Sequence, residues 1–129
     1  MGYHLIDPDD LEQWDERPTD VRSLSVPAGY EYRDSKLGLR VYELAPGEQS
    51  SLAYHYHDEQ VEVFYVLEGS LHVETPEGGH VVEADQALFI DPGSPHRAFN
   101  PDSADGTTRM LAIGAPSDAD GHRYDPDDA

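Results

Sequence analysis

The chain has 129 residues, with 27 Asp+Glu against 8 Lys+Arg and a formal net charge of −19. That length fits one domain around one core, and that charge excludes nucleic acid and anionic membrane surfaces as partners, since both require a basic face. Cysteine is absent, which rules out disulfide staples and thiolate metal ligands.

Residues 1–20 are polar and acidic, with turn chemistry at Asp7, Pro8 and Asp9. They contain no apolar run, so neither a signal peptide nor an anchor is expected, and a cytoplasmic location follows. Leu11 and Trp14 stand at helical spacing and predict one helical turn that tucks an apolar edge onto the body. From there to about residue 114, short apolar runs alternate with turns. The runs are 23–26, 39–44, 51–57, 62–67, 70–75, 80–83, 87–90, 96–100 and 109–113. Between them lie Pro46-Gly47, Glu68-Gly69, residues 76–79, Asp91-Pro92-Gly93 and residues 102–106. Many short strands punctuated in this way predict a sandwich or a closed barrel. Residues 116–129 are rich in Asp, Gly and Pro and predict a loose tail.

The run 61–67 is apolar on both faces, interrupted by Glu62. Such a strand is covered on both sides, by a helix, a terminal strand or a second subunit over Val63, Tyr65 and Leu67, and the acidity of the rest of the chain favours the homodimer. The acids are spread along the whole chain and Lys36 is the only lysine. This pattern resembles proteins of salt-in halophiles, where a Debye length of about 3 Å at molar salt screens the self-repulsion.

Four residues stand out as metal ligands. His55 and His57 are two apart on a predicted strand and share a face. Glu62 lies within an apolar strand, where an uncompensated carboxylate is costly. Antiparallel pairing across the turn at residues 58–60 is expected to bring it beside His57. His96 follows a rigid turn built from Pro92, Gly93 and Pro95, and opens the next run. Three imidazoles and a carboxylate suit one divalent first-row ion: Mn, Fe, Co, Ni, Cu or Zn.

With those residues set out, the sequence resembles the cupins. Their first motif pairs a glycine with His-x-His, a glutamate and a later glycine, here Gly47, His55, His57, Glu62 and Gly69. Their second combines a proline-glycine turn, a histidine and an asparagine, here Pro92, Gly93, His96 and Asn100. Three features depart from the usual pattern. The step from Gly47 to His55 is long, Ala84-Asp85 replaces the glycine that opens the second motif, and Asp91 replaces its first proline. The resemblance covers residues 37–114. It implies an all-β fold, a double-stranded β-helix (jelly roll) of two antiparallel sheets. It also implies a metal ion held by His55, His57, Glu62 and His96, and it makes a dimer common.

The remaining candidates have plainer readings. Tyr54 and Tyr56 should face away from the histidine pair, while Phe64 and Val66 wall the pocket. Phe89 and Phe99 are expected as lining or core, Arg97 as surface, and Asn100 as a residue that fixes a turn. His72 and His80 belong to edge strands, and His4 and His122 to the surface. Three functional classes follow: a metal-dependent enzyme on a small molecule, of dioxygenase or isomerase/epimerase type; a non-catalytic module that binds or senses a small ligand; or a metal-free barrel that keeps the motif as packing, which four intact ligand positions disfavour. No basic cluster adjoins the ligands along the sequence, which argues against sugar phosphates.

Overall fold

The computed structural model describes residues 2–117 and 121–128, which form ten strands and two short 3-10 turns at Pro8–Asp10 and Pro126–Asp128. The strands are β1 (Asp20–Ser23), β2 (Gly38–Leu44), β3 (His55–His57), β4 (Val61–Glu68), β5 (Ser70–Thr75), β6 (Gly78–Glu83), β7 (Ala87–Ile90), β8 (Arg97–Phe99), β9 (Thr108–Ala115) and β10 (Gly121–Arg123). One sheet has the order β1-β2-β9-β4-β7. The second layer is built from β6-β5-β8 and β10-β3, joined by an isolated antiparallel bridge between His55 and His96. Every strand pair is antiparallel. This is the expected all-β jelly roll. Among the described residues no helix is long and apolar enough to cross a membrane.

Alternation builds the core. Along β9 every second residue is buried, from Thr108 through Met110 and Ala112 to Gly114, as a strand with one covered face requires. Tyr42, Leu44, Phe64, Val66 and Met110 from the first sheet meet Leu71, Val73, Val82 and Ala98 from the second. Leu44, Leu71 and Met110 are fully enclosed, each contributing about 1.5–3 kcal/mol through apolar burial. The β4–β5 turn needs its glycine: Gly69 has φ +76°, and a Cβ there would lie 2.9 Å from the carbonyl oxygen of Thr107. Asp85, standing where the cupin pattern has glycine, itself adopts φ +66°. Its amide donates to Val66 O at 2.8 Å. Asn100 is buried and its Nδ2 donates to Leu44 O and Gly106 O, so it does fix the turn.

Several expectations need correction. The first strand is Asp20–Ser23 rather than 23–26, because residues 24–29 turn back on themselves through hydrogen bonds to Ser25 O and Val26 O. Residues 51–53 form a bend, leaving only His55–His57 as strand. There Ser51 Oγ donates to Ala53 O, competing with ladder pairing. β3 and β4 do not pair. β3 takes β10 and β4 takes β7 and β9, so Glu62 faces His55 across the two layers instead of lying beside His57. The tail contributes β10, whose pairing satisfies the edge of β3; residues 118–120 and 129 lie outside the described residues. The N-terminal turn is Pro8–Asp10, one step before Leu11, and Trp14 packs against the core. Phe89 is 68% exposed, because it alternates outward between Leu88 and Ile90 on an edge strand.

Candidate metal centre

His55 and His96 are direct neighbours across the bridge: each backbone N–H donates to the other's carbonyl, at 3.2 and 2.9 Å. Their imidazole centroids lie 4.6 Å apart. Glu62 comes from the opposite layer, in register with Gly114 on one side and Ile90 on the other. Its oxygen Oε1 lies 2.8 Å from His96 Nε2. One ligand atom each from His55, Glu62 and His96 falls within 4.8 Å of the others, on buried or half-buried side chains. His57 is buried on the same strand face as His55, its ring 5.0 Å from that of His55 and 6.4 Å from that of His96. It lines the same cavity, outside the tightest group of three. The turn before His96 is anchored to β3, since Gly93 N–H donates to His57 O at 2.6 Å.

The outer nitrogens of two imidazoles are fixed by the backbone. His55 Nδ1 lies 2.8 Å from Ala53 O and His96 Nδ1 lies 3.0 Å from Ser94 O. A carbonyl only accepts, so each Nδ1 carries its hydrogen and each Nε2 is left for the centre of the site. This is the arrangement that holds metal-binding histidines in one tautomer and one orientation. The residues therefore fit a divalent ion on donor chemistry and on orientation alike.

The electrostatics agree. Burial lowers the His55 pKa, favouring the neutral imidazole that a metal requires. Burial alone would raise Glu62 and lower His96, yet the hydrogen bond and charge between them outweigh it: Glu62 is held below the ordinary carboxylate value and His96 above the ordinary imidazole value. Without metal one proton lies in the hydrogen bond between the two groups, and an ion held by both would displace it.

The candidate ligands His55, His57 and Glu62 line a cavity of about 280 Å³, walled by Tyr42 and Phe64 and bordered by Ser51 and Leu52, while His96 lies behind them, against a second cavity. Phe64 is where strand parity put it, while Val66 lies deeper in the core. Burial raises the Tyr42 pKa and keeps its phenol protonated. Arg17, Arg40 and Arg123 line the same cavity. This corrects the expectation that no basic cluster adjoins the ligands. Arg40 shares an inward parity with Tyr42 and Leu44 on β2, and that spacing was the available signal. Tyr54 and Tyr56 point away from the ligands, against Tyr124 and His122. His122 is exposed, its ring nitrogen 2.6 Å from Asp58. Arg97 pairs on the surface with Glu74 at 3.1 Å.

A family model described as a cupin domain matches residues 40–114. The tetracenomycin polyketide synthase protein TcmJ of Streptomyces glaucescens is 43% identical over 80 residues, covering 62% of this chain and 51% of that protein. The chain thus spans about half the length of that curated relative. Among solved structures, a cupin-superfamily sugar phosphate isomerase from Silicibacter pomeroyi superposes with TM-score 0.77 at 24% identity, covering 95% of this chain and 82% of that one. The polyketide cyclase RemF from Streptomyces resistomycificus does so with TM-score 0.76 at 23% identity, covering 96% and 87%. At those identities the likeness speaks to the fold alone.

Proposed function

The chain belongs to the cupin family, and from that premise we propose that it is a metal-dependent enzyme that rearranges a small carbonyl compound by proton transfer, without net oxidation. The observation that carries this reading is the convergence of His55, Glu62 and His96, with one ligand atom each within 4.8 Å of the others, beside a small cavity that His55 and Glu62 line. His57, buried beside them, is taken as the fourth ligand. A divalent ion held there would supply Lewis acidity, polarising a carbonyl oxygen so that the adjacent carbon loses a proton more readily.

The chain's own groups serve the same end. His55 and His96 present Nε2 in fixed orientations, and Glu62 supplies the anionic donor. Tyr42 offers a phenol that keeps its proton, suited to hydrogen-bonding an oxygen on which charge develops. Phe64 and Leu52 give the cavity apolar wall. Of the solved structures that this chain resembles in fold, one is named a sugar phosphate isomerase and another a polyketide cyclase. Those names agree with the non-oxidative form, and the oxygen-uptake arm of the test below separates it from a dioxygenase.

The test is metal analysis of protein purified without chelator, followed by proton NMR of hydroxyketones and β-diketones in D₂O. The expected result is stoichiometric metal, and deuterium entering beside the carbonyl only with the metal-loaded protein. Oxygen uptake in place of exchange would transfer the assignment to a dioxygenase. Turnover of neither kind, with tight metal-dependent binding of the same compounds, would make the barrel a binding module. A protein that neither carries nor takes up metal would overturn the reading altogether.

A further inference from the structure

Strand β10 brings a charged side chain to the candidate metal centre that the ligand set does not use. In its antiparallel ladder with β3, Gly121 stands opposite His57, His122 opposite Tyr56 and Arg123 opposite His55. Residues directly opposite in such a ladder project to one face, with Cβ atoms about 4.5–5.5 Å apart. Tyr56 and His122 obey this on the outer face, where their rings stack with centroids 5.2 Å apart. Arg123 therefore shares the face of His55. With His55, His57 and Glu62 it lines the cavity of about 280 Å³, and its own exposure puts it at the outer end of that space.

The charge of Arg123 is not spent on a carboxylate of the chain. With 27 Asp+Glu against 8 Lys+Arg, an arginine here finds an acid easily. Arg22, Arg97 and Arg109 do so, pairing with Asp20, Glu74 and Glu43 at 3.2, 3.1 and 3.3 Å. Among the described residues no carboxylate pairs with Arg123. Arg17 lines the same cavity from the N-terminal arm, and its hydrogen bond, 3.2 Å long, goes to a neutral phenol, Tyr32 Oη. Arg40 is buried and has interactions of its own, so it is not counted. A guanidinium offers a planar fork of N–H donors that matches a carboxylate or phosphoryl group. On a molecule of net charge −19, whose overall field repels anions, a free fork beside the ligands is a local reversal of that field.

We propose that the cavity takes a small organic anion, and that Arg123 is the specificity-determining residue that binds its carboxylate or phosphoryl group. Arg17 adds positive charge from the N-terminal arm. The other end of this ligand, an oxygen function directed to the histidines and Glu62, rests on the metal-centre reading above; the anionic end stands on Arg123. Strand β10 then serves the site as well as the edge of β3, because it carries the residue that selects charged over neutral compounds of equal shape.

The test compares matched pairs that share a chelating end: catechol with 3,4-dihydroxybenzoate, and dihydroxyacetone with its phosphate. Affinities are measured by calorimetry on zinc-loaded and metal-free protein, for the wild type, Arg123→Met, Arg123→Lys and, as a control, Arg97→Met. In the wild type the charged member of at least one pair should bind about fivefold tighter or more, as a bidentate contact to a partly exposed guanidinium provides. The pair that shows the preference tells carboxylate from phosphoryl. Arg123→Met should erase most of that ratio while leaving the neutral member's affinity within about twofold. Arg123→Lys should keep part of it, and Arg97→Met, which removes an arginine already paired with Glu74, should keep all of it. The Tyr124 N–H, which donates to Tyr54 O at 2.8 Å, reports by its exchange rate whether β10 stays docked. Should it detach in Arg123→Met, Arg123→Gln carries the same comparison. No preference in the wild type, or a preference that Arg123→Met leaves unchanged with β10 docked, would overturn the proposal. If zinc has no effect on the neutral compounds while the Arg123-dependent ratio persists, the anion site stands and the metal-centre reading falls.

Discussion

Replacing Glu62 by Gln keeps the volume and one acceptor oxygen while removing the single negative charge among the proposed ligands. Two consequences can be separated. In the metal-free protein, His96 loses its counter-charge at 2.8 Å. It then releases its proton, and neutral Nε2 can accept from the new amide. A charge-assisted hydrogen bond worth about 1.5–3 kcal/mol gives way to a neutral one worth about 0.5–1.5, so the barrel should lose about 1–2 kcal/mol and remain folded. Metal affinity should fall further. Opposite unit charges about 4 Å apart attract by about 4 kcal/mol at an effective dielectric near 20, and a divalent ion in contact with the carboxylate gains at least that. Part of the loss is offset, because the ion no longer has to displace the His96 proton. A net weakening of about 100- to 1000-fold is expected, or about 3–4 kcal/mol. Competition against a chromophoric chelator measures the affinity, and a thermal melt of the metal-free variant checks the fold. Affinity within threefold of wild type, with the fold intact, would remove Glu62 from the ligand set.

Other outcomes follow from the same geometry. Because the metal-free His96 pKa is raised and that of Glu62 lowered, the proton to be displaced sits on His96. Metal affinity should be level at pH values above the raised His96 pKa and fall by about tenfold per unit below it, and calorimetry in buffers of different ionisation enthalpy should count a released proton only on the acid side of that value. Asn100→Ala strips hydrogen bonds from the buried carbonyl of Leu44 and from that of Gly106; a loss of about 2–3 kcal/mol in urea unfolding is expected, and a loss under 0.5 would show that water replaces the amide. With a net charge of −19, the melting temperature should climb between about 0.1 M and 1 M KCl as the Debye length shrinks from about 10 to 3 Å; a flat profile would speak against adaptation to high salt.

Local pattern carried far into this structure, and it failed at identifiable places. The bounds of β5 are readable to the residue, since Gly69 and Pro76-Glu77 stop the chain on both sides, and Asp91-Pro92 closes β7. The shared face of His55 and His57 follows from parity alone. Which strand pairs with β3 does not, because its partner β10 lies in a segment whose Asp, Gly and Pro content suggests a tail. Glu62 was legible as a carboxylate in need of a partner, but His96, the partner 34 residues away, is reached across the layers. Arg40 was the residue most easily overlooked. An arginine in an alternating strand normally faces solvent, and only the inward parity of Tyr42 and Leu44 reveals that this one does not.

The paired amides of His55 and His96 are also the stitch between the two halves of the second layer. An ion at their side chains would fasten that stitch from within and tie it to Glu62 on the facing sheet. Loss of the ion and parting of this seam would then be coupled, so metal residence would report on local opening of the barrel. A pool of chelator outside would set the direction of loss, while the rate would belong to the protein's own breathing at residues 55 and 96.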